Sequence, residues 1–364
     1  MRAAALALAM ALAFCMLFSC TGKKRLYRFT DTYYDAFDTV ISVIVYCESE
    51  AEFKAISARV HESFMSYHRL FDIYSEYEGL VNAASLNRLA KEGREVEAPA
   101  ELIELLEFGK EAAEKTGGRV NIAMGAVLSL WHEAREYSVD HPDRAYVPSG
   151  AELDEASQHC DINDLIIDSR SHTVRFADPL MSIDLGAVAK GWAVEKIAQS
   201  LIADGTIASP RGMAISAGGN VRVFGPKDGG SCWTIAVEDP KEGAEANDYA
   251  DTLLIEDVSL VTSGVNQRYY EAARKRYHHI IDPDTLRPED RYLSVTVLTE
   301  DSGLADALST ALFNMSIEDG KALLQSLKSG GMSIGGISAD TAEALWIMPD
   351  GSLQETSGYE DFRK

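Results

Sequence analysis

Basic residues are scarce in this sequence. It contains 34 Lys and Arg against 57 Asp and Glu, which gives a formal net charge of −23. A protein that binds nucleic acid neutralises phosphates with clustered Lys and Arg, and this sequence offers no basic patch for that purpose. The same deficit argues against electrostatic adhesion to anionic lipid. We therefore exclude nucleic acid as a partner and attribute the acidic surplus to solubility.

Cysteine is also rare, and its spacing excludes two classes of function. Beyond the N-terminal segment the cysteines are Cys47, Cys160 and Cys232. They are far apart, odd in number, and show neither a CxxC pair nor the Cys/His spacing of a zinc site. The sequence therefore predicts neither redox chemistry nor a zinc centre. We expect all three to be buried as small apolar side chains.

A long run of apolar residues occurs only at the N-terminus, where it predicts a secretory signal. Residues 3–18 carry no charge, follow a positively charged start, and end at Ser19-Cys20. The run is marginal for a membrane-spanning helix, which needs about 20 apolar residues. We predict a signal peptide over residues 1–19.

The end of this run is similar to a bacterial lipobox. It reads LFSC, and its cysteine, Cys20, would become the lipidated first residue of the mature protein. We then expect a lipid-anchored tether over residues 20–32 and a periplasmic location, with the inner membrane as the expected anchor site. The alternative is an ordinary cleaved signal followed by an incidental cysteine.

The remaining sequence predicts one soluble α+β domain over residues 33–364. Apolar residues recur at helical spacing in several segments. The predicted helices include 50–71, 100–115, 190–203 and 302–315. Alternating and β-branched segments predict many short strands, the first over residues 33–46. Helices mixed with strands of antiparallel character indicate an α+β architecture.

Two glycine-rich segments follow predicted strands, where a backbone is able to approach a ligand closely. The first, Asp184 to Gly191, reads DLGAVAKG and opens a helix. A helix N-terminus favours an anionic phosphate, and Lys190 adds a positive charge. The second segment, residues 214–220, reads AISAGGN and offers exposed amides. Each signal is weak alone, because such glycines also suit a tight turn.

Hydroxyl and histidine residues mark two further strand ends. Residues 261–264 read VTSG, with two hydroxyls before a glycine. Residues 278–283 read HHIIDP, in which His279 and Asp282 are possible metal ligands. Both stand beside apolar strand residues, where a histidine more often serves as a hydrogen-bonded core residue.

A carboxylate and a hydroxyl occur four residues apart in the segment LADALSTAL. Asp306 and Thr310 therefore share one face of the predicted helix. Such a hard-oxygen pair suits Mg²⁺, which binds few protein ligands together with substrate phosphates. The alternative is a polar pair within a core helix.

In this order, the segments resemble the ApbE family of FAD:protein FMN transferases over about residues 33–347. The family pattern begins with Asp-Thr, a Tyr-containing loop ending in Asn, Gly-Gly, and a helix ending in Trp. It continues with D-L-G-x-x-A-K-G, S-x-G-G-N, T-S-G, H-I-I-D-P and A-D-A-L-S-T-A. This chain supplies the first four features as Asp38-Thr39, Tyr77 with Asn87, Gly117-Gly118, and Trp131.

The resemblance implies a T-fold-like domain that binds FAD in a deep cleft with Mg²⁺ as cofactor. Asp306 and Thr310 would ligate Mg²⁺ together with the backbone carbonyl of Ala187, and Tyr77 would stack on an FAD ring. The other FAD-binding residues that it implies are Asn87, Gly117, Gly118, Lys190, Ser216, Gly218, Gly219, Thr262, Ser263, Gly264 and His279.

The resemblance also implies a reaction. A Ser or Thr hydroxyl of an acceptor flavoprotein, expected in a membrane redox complex, attacks the FMN phosphorus and expels AMP. The implied catalytic residues are Asp306, Asp282 and His279, with one of the two aspartates accepting the proton.

This chain departs from the family pattern at two places. Asn121 replaces the aspartate that usually follows Gly-Gly, and Leu80-Val81 replaces the usual Asp-Ser. Two alternative functions therefore stay open. One is an FAD pyrophosphatase that gives FMN and AMP, and the other is a non-enzymatic periplasmic lipoprotein that binds FAD.

Overall fold

The structure is a computed structural model that describes residues 25–208, 211–228, 230–241, 243–245 and 248–364. The predicted signal peptide and Cys20 lie outside the described residues. Within them, none of the helices combines the length and the apolar character that crossing a bilayer requires.

Helices and antiparallel strands alternate along the described chain, so the predicted α+β class is confirmed. The helices are α1 (Glu50–Phe71), α2 (Ala83–Lys91), α3 (Ala100–Lys115), α4 (Gly125–Asp140), α5 (Gly150–Ser157), α6 (Ala189–Ala203), α7 (Ser302–Phe313) and α8 (Ile317–Lys328). The strands are β1 (Tyr27–Ala36), β2 (Thr39–Cys47), β3 (Val96–Glu97), β4 (Leu165–Asp168), β5 (Thr173–Phe176), β6 (Gly212–Ala217), β7 (Asn220–Phe224), β8 (Trp233–Glu238), β9 (Tyr249–Ile255), β10 (Ser259–Gly264), β11 (Tyr269–Ala272), β12 (Lys275–His278), β13 (Ile281–Asp282), β14 (Arg287–Pro288), β15 (Ser294–Thr299), β16 (Ala342–Ile347) and β17 (Leu353–Glu355).

An eight-stranded antiparallel sheet organises the fold in the order β1-β2-β6-β7-β10-β15-β16-β17. Its registers bring the start of β2, the β6–β7 turn and the end of β10 together. Thr39, Gly218 and Gly264 consequently meet at one end of the sheet. The motif segments that lead into turns therefore lie close together at this end of the sheet.

Helices cover one face of the sheet, and the β8–β9 hairpin covers part of the other. Helix α1 buries Phe53, Ile56, Val60 and Phe64, which recur at helical spacing and pack against the first strands. Helix α7 is buried almost along its whole length behind β10 and β15. It begins where the Asp301 carboxylate accepts the Leu304 N–H at 2.8 Å, which is a standard N-cap.

The first predicted strand is wrong in its extent, because residues 33–46 form parts of two paired strands. Strand β1 ends at Ala36 and β2 begins at Thr39. Phe37 and Asp38 join them with φ angles of 56° and 50°, and this left-handed turn reverses the chain. Apolar alternation continues across the turn, so the sequence pattern alone did not reveal it.

Two further expectations need correction. Strand β1 begins at Tyr27 and pairs with β2, so the folded domain starts inside the segment 20–32 that we predicted as a tether. Among the cysteines, Cys47 is buried as expected, Cys160 is half-buried and Cys232 is exposed. Cys232 is exposed because it lies in the loop that precedes β8.

Candidate active site

A cavity of about 460 Å³ opens at the end of the sheet where the motif segments meet. The predicted site residues that line it are Ala187, Lys190, Gly218, Thr262, Ser263, Gly264, His279, Asp306 and Thr310. These residues come from five separate segments of the chain. The cavity therefore brings together most of the chemistry that the sequence indicated.

Asp306 is the central carboxylate of this cavity. Its side chain is only 7% exposed, and its Oδ1 lies 3.1 Å from the ammonium of Lys190. Its Oδ2 accepts the backbone N–H of Gly191 at 2.7 Å. Thr310 lies one helical turn further along α7 and also lines the cavity. Oδ2 of Asp306 thus accepts a fixed backbone N–H, while Oδ1 faces the ammonium of Lys190.

The segment from Asp184 to Gly191 forms a turn that leads directly into α6. Asp184 accepts the N–H of Gly186 at 2.8 Å, which shapes the turn. Burial raises the pKa of the Asp184 carboxyl. Helix α6 then begins without a cap from Val188, and the Asp306 carboxylate accepts the N–H of its third residue, Gly191. Its first two residues, Ala189 and Lys190, line the cavity. A helix N-terminus beside a lysine favours an anion, and the carboxylate of Asp306 already lies there.

The β6–β7 turn needs glycine for two reasons. Gly218 and Gly219 have φ angles of 52° and 84°, which disfavour other residues. A Cβ at Gly218 would also lie closer than 3.0 Å to the hydroxyl of Thr39. Thr262 donates its N–H to the carbonyl of Gly219 at 2.9 Å. The turn is therefore held tightly against the neighbouring strand ends.

His279 presents a neutral imidazole to the cavity. Its Nδ1 lies 3.2 Å from the carbonyl oxygen of Gln267. Because a carbonyl only accepts, Nδ1 carries the proton and Nε2 keeps its lone pair. Desolvation by the surrounding protein, and to a smaller extent the charge of Arg268, lowers the pKa of His279. The side chain faces the cavity, and the lowered pKa leaves its ring uncharged at neutral pH.

Aromatic residues form another wall, and sequence reasoning missed the most prominent of them. Tyr74 lines the cavity and stacks on His132 with ring centroids 4.6 Å apart. Trp131 and Tyr277 also line it and stack at 5.8 Å. Tyr74 is in the same loop as Tyr77, and nothing in their spacing says which ring faces the cavity.

Tyr77, predicted to stack on FAD, does not line the cavity. Its hydroxyl donates to Asp72 at 2.9 Å, and the guanidinium of Arg69 lies over its ring. Asp282, predicted as catalytic, also lies outside the lining. It is 5% exposed, and its carboxylate is 3.5 Å from Arg119. Both side chains are committed to protein partners, which is why they turn away from the cavity.

The other predicted residues shape the site from behind it. The Asn87 amide donates to the carbonyl of Ile183 at 3.0 Å and accepts its N–H at 2.8 Å, just before the Asp184 turn. Gly117 and Gly118 end α3 with positive φ angles. Ser216 lies within β6, two residues before Gly218, which lines the cavity. None of these, nor Gly219, is among the residues that line the cavity.

Comparison with known proteins decides the family, because the ApbE family pattern matches residues 37–333. The chain belongs to the ApbE family. It is 30% identical to the FAD:protein FMN transferase of Treponema pallidum, over 95% of this chain and 92% of that one. It is 32% identical to the FAD:protein FMN transferase of Klebsiella pneumoniae, over 71% of this chain and 78% of that one.

A solved structure extends the comparison to three dimensions. The crystal structure of the ApbE protein from Thermotoga maritima superposes with a TM-score of 0.75 at 26% identity, covering 93% of this chain and all of that one. The predicted family, its α+β architecture and the enzyme class, a transferase, are thus confirmed.

Proposed function

We propose that this ApbE-family transferase moves FMN from FAD to a Ser or Thr hydroxyl of an acceptor protein and releases AMP. The observation that carries the proposal is one cavity with two environments. Lys190, Asp306 and Thr310 meet at the N-terminus of α6, and Tyr74 and Trp131 form part of an aromatic wall. A dinucleotide needs both, because it combines a charged pyrophosphate with flat rings. The names of the relatives support FAD as the substrate.

The residues present fit a magnesium ion. Asp306 Oδ1, the Thr310 hydroxyl and the Ala187 carbonyl would hold it, and all three residues line the cavity. Among the described residues no three His, Cys, Asp or Glu side chains form a metal-holding group. Magnesium does not require one, since it keeps waters and phosphate oxygens as its other ligands. When bound, it would stabilise negative charge on the pyrophosphate.

The chemistry is a single displacement at phosphorus. The acceptor oxygen forms a bond to the FMN phosphorus, the bond from that phosphorus to the bridging oxygen breaks, and AMP leaves with the bridging oxygen. The hydroxyl proton passes to a group in the cavity. Of the three predicted catalytic residues, Asp306 and His279 line the cavity and Asp282 does not. The protein's own contribution is therefore to hold the phosphates and to receive a proton.

Weighing both products separates this function from its alternatives. The chain would be incubated with FAD, Mg²⁺ and a candidate acceptor, with matched samples that contain a chelator or an acceptor whose Ser or Thr is changed to Ala. Transfer predicts that the acceptor gains the mass of FMN less water and that AMP appears. FMN and AMP without that gain would indicate a pyrophosphatase. Intact FAD with every acceptor tested would indicate a carrier, and either result would reject transfer.

The location of the protein is part of this proposal. The lipobox-like sequence that ends at Cys20 supports a lipoprotein in the periplasm, held at the bacterial inner membrane. Acceptor flavoproteins of membrane redox complexes would then lie within reach of the anchored enzyme. Six residues separate Cys20 from Tyr27, where the first strand begins.

A further inference from the structure

Ser302, the first residue of α7, joins three segments of the site although it belongs to none of the family motifs. It is fully buried. Its N–H donates to Glu195 of α6 at 2.9 Å, and its hydroxyl donates to the side-chain oxygen of Asn220. Its carbonyl oxygen lies directly against Gly191, closer than 3.0 Å to where a Cβ would be. Two distant parts of the sequence, α6 and Asn220, therefore converge on this serine of α7.

These contacts are half of a reciprocal connection between α6 and α7. Glu195 on α6 accepts the first N–H of α7, and Asp306 on α7 accepts the N–H of Gly191 on α6 at 2.7 Å. Arg222, 3.1 Å from Glu195, pairs with that buried carboxylate. Because each helix supplies a carboxylate to the other's backbone, neither helix shifts without breaking a buried hydrogen bond. The connection fixes Asp306 Oδ2 and leaves Oδ1 toward Lys190.

Asn220 adds an observation that stability does not explain. Its side chain is fully buried, and its Nδ2 has no partner in the part of the chain that the structure describes. Rotating the amide by 180° would only exchange which atom is unpaired. An unpaired buried polar atom lowers stability. This Nδ2 lies 2.8 Å from the position of a Cβ on Gly191, which is also beside Asp306.

We propose that Ser302 is a positioning residue that holds Asp306 in place in the cavity. Its hydroxyl ties the glycine turn of β6–β7 to the start of α7, and its N–H ties α7 to α6. Asp306 lies one turn beyond this anchor. The proposal rests on the proposed function only where it assigns Mg²⁺ to Asp306.

The test compares Ser302→Ala with Ser259→Ala in the full chain. Ser259 is a matched control, because it is also fully buried but its hydroxyl has no partner among the described residues. Hydrogen exchange of the Gly191 amide measures how stable the connection between α6 and α7 is, and this measurement does not require a metal. The Mg²⁺ concentration for half-maximal FAD turnover measures how the connection affects Mg²⁺ binding at Asp306. Urea unfolding reports global stability.

Losing one hydrogen bond predicts roughly tenfold faster exchange at Gly191 and a roughly tenfold higher half-saturating Mg²⁺ concentration in Ser302→Ala. Turnover at saturating Mg²⁺ stays near the wild-type value, and Ser259→Ala changes neither quantity. Asn220→Ala should reproduce the effect, and the double variant should add nothing, because both single changes break the same bond.

Unchanged exchange at Gly191 in Ser302→Ala would overturn the proposal. So would an increase spread evenly over α6 and α7 that matches a loss of global stability, because it would indicate a structural role alone. If Gly191 exchange rises as expected but wild-type turnover is independent of Mg²⁺, the metal part of the proposed function fails and the role of Ser302 stands.

Discussion

Replacing Gly191 with alanine tests whether the close approach of α6 and α7 builds the site. A methyl group there would lie closer than 3.0 Å to the carbonyl oxygen of Ser302 and to Cβ of Asp306, and 2.8 Å from Nδ2 of Asn220. The first two atoms are backbone or next to it, so neither is able to move aside alone. The two helices must separate to admit the methyl group.

Two opposing terms set the effect on stability. Alanine in a helix is favoured over glycine by about 1 kcal/mol. Overpacking a core costs about 1–3 kcal/mol, and the contacts with backbone place Gly191→Ala near the upper end of that range. We therefore expect the free energy of unfolding to fall by roughly 1–2 kcal/mol, the difference between the two terms. A displacement of Asp306 by about 1 Å would lower turnover on the order of 100-fold.

Urea unfolding and FAD turnover measure the two effects separately. Gly150→Ala is the matched control, because Gly150 begins α5 and a Cβ there meets nothing within 4 Å. The control should keep wild-type turnover and equal or slightly higher stability. If Gly191→Ala kept both the urea midpoint and the FAD turnover of the wild type, this contact would not position Asp306.

Four further predictions address the metal, the aromatic wall, pH and the anchor. Asp306→Ala should abolish Mg²⁺-dependent FAD turnover, as a chelator should, and product analysis measures this loss. FAD should still bind through contacts that do not involve the metal, as equilibrium dialysis would show. Tyr74→Ala should weaken FAD binding roughly tenfold to hundredfold, as expected for about 1–3 kcal/mol of stacking, whereas Tyr77→Ala should leave the dissociation constant unchanged. Burial, reinforced by a neighbouring carboxylate, raises the pKa of Asp301 from 3.8 to about 6, so the folded state binds this proton more tightly than the unfolded chain does. Its contribution to stability is present below pH 3.8 and is lost as pH rises through 6, and Asp301→Asn, which keeps the N-cap, should remove that slope in urea midpoints. Cys20→Ala should release the protein from membranes or block its processing, as fractionation would show.

Each of these predictions has a contrary outcome. Undiminished turnover in Asp306→Ala would remove this carboxylate from the reaction. Weaker FAD binding in Tyr77→Ala, with unchanged binding in Tyr74→Ala, would mean that the ring assignments are reversed. An unchanged slope of stability between pH 4 and pH 6 in Asp301→Asn would assign that slope to another carboxyl group. A wild-type protein recovered wholly soluble from the periplasm would reject the lipobox.

Local patterns predicted the parts of the fold that depend on neighbouring residues. The helix predicted over residues 50–71 matches α1, because its apolar spacing and its N-cap are both local features. Asp306 and Thr310 were correctly expected on one helical face, since a spacing of four residues determines that. The short helices α2 and α5 were not predicted, because so few residues give a weak periodic signal.

The sequence by itself determined which chemical groups are present and which of them are neighbours along the chain. It identified the glycine turns, the lysine at a helix start and the family to which the chain belongs. Tertiary structure decided which of two tyrosines in one loop, Tyr74 or Tyr77, faces the cavity, because hydrogen bonding to Asp72 turns the second one away. It also decided that Gly191 and Ser302 meet against Asp306, although more than a hundred residues separate the first two. Periodicity records only which side of an element is buried, whereas contacts between distant segments depend on how whole elements pack.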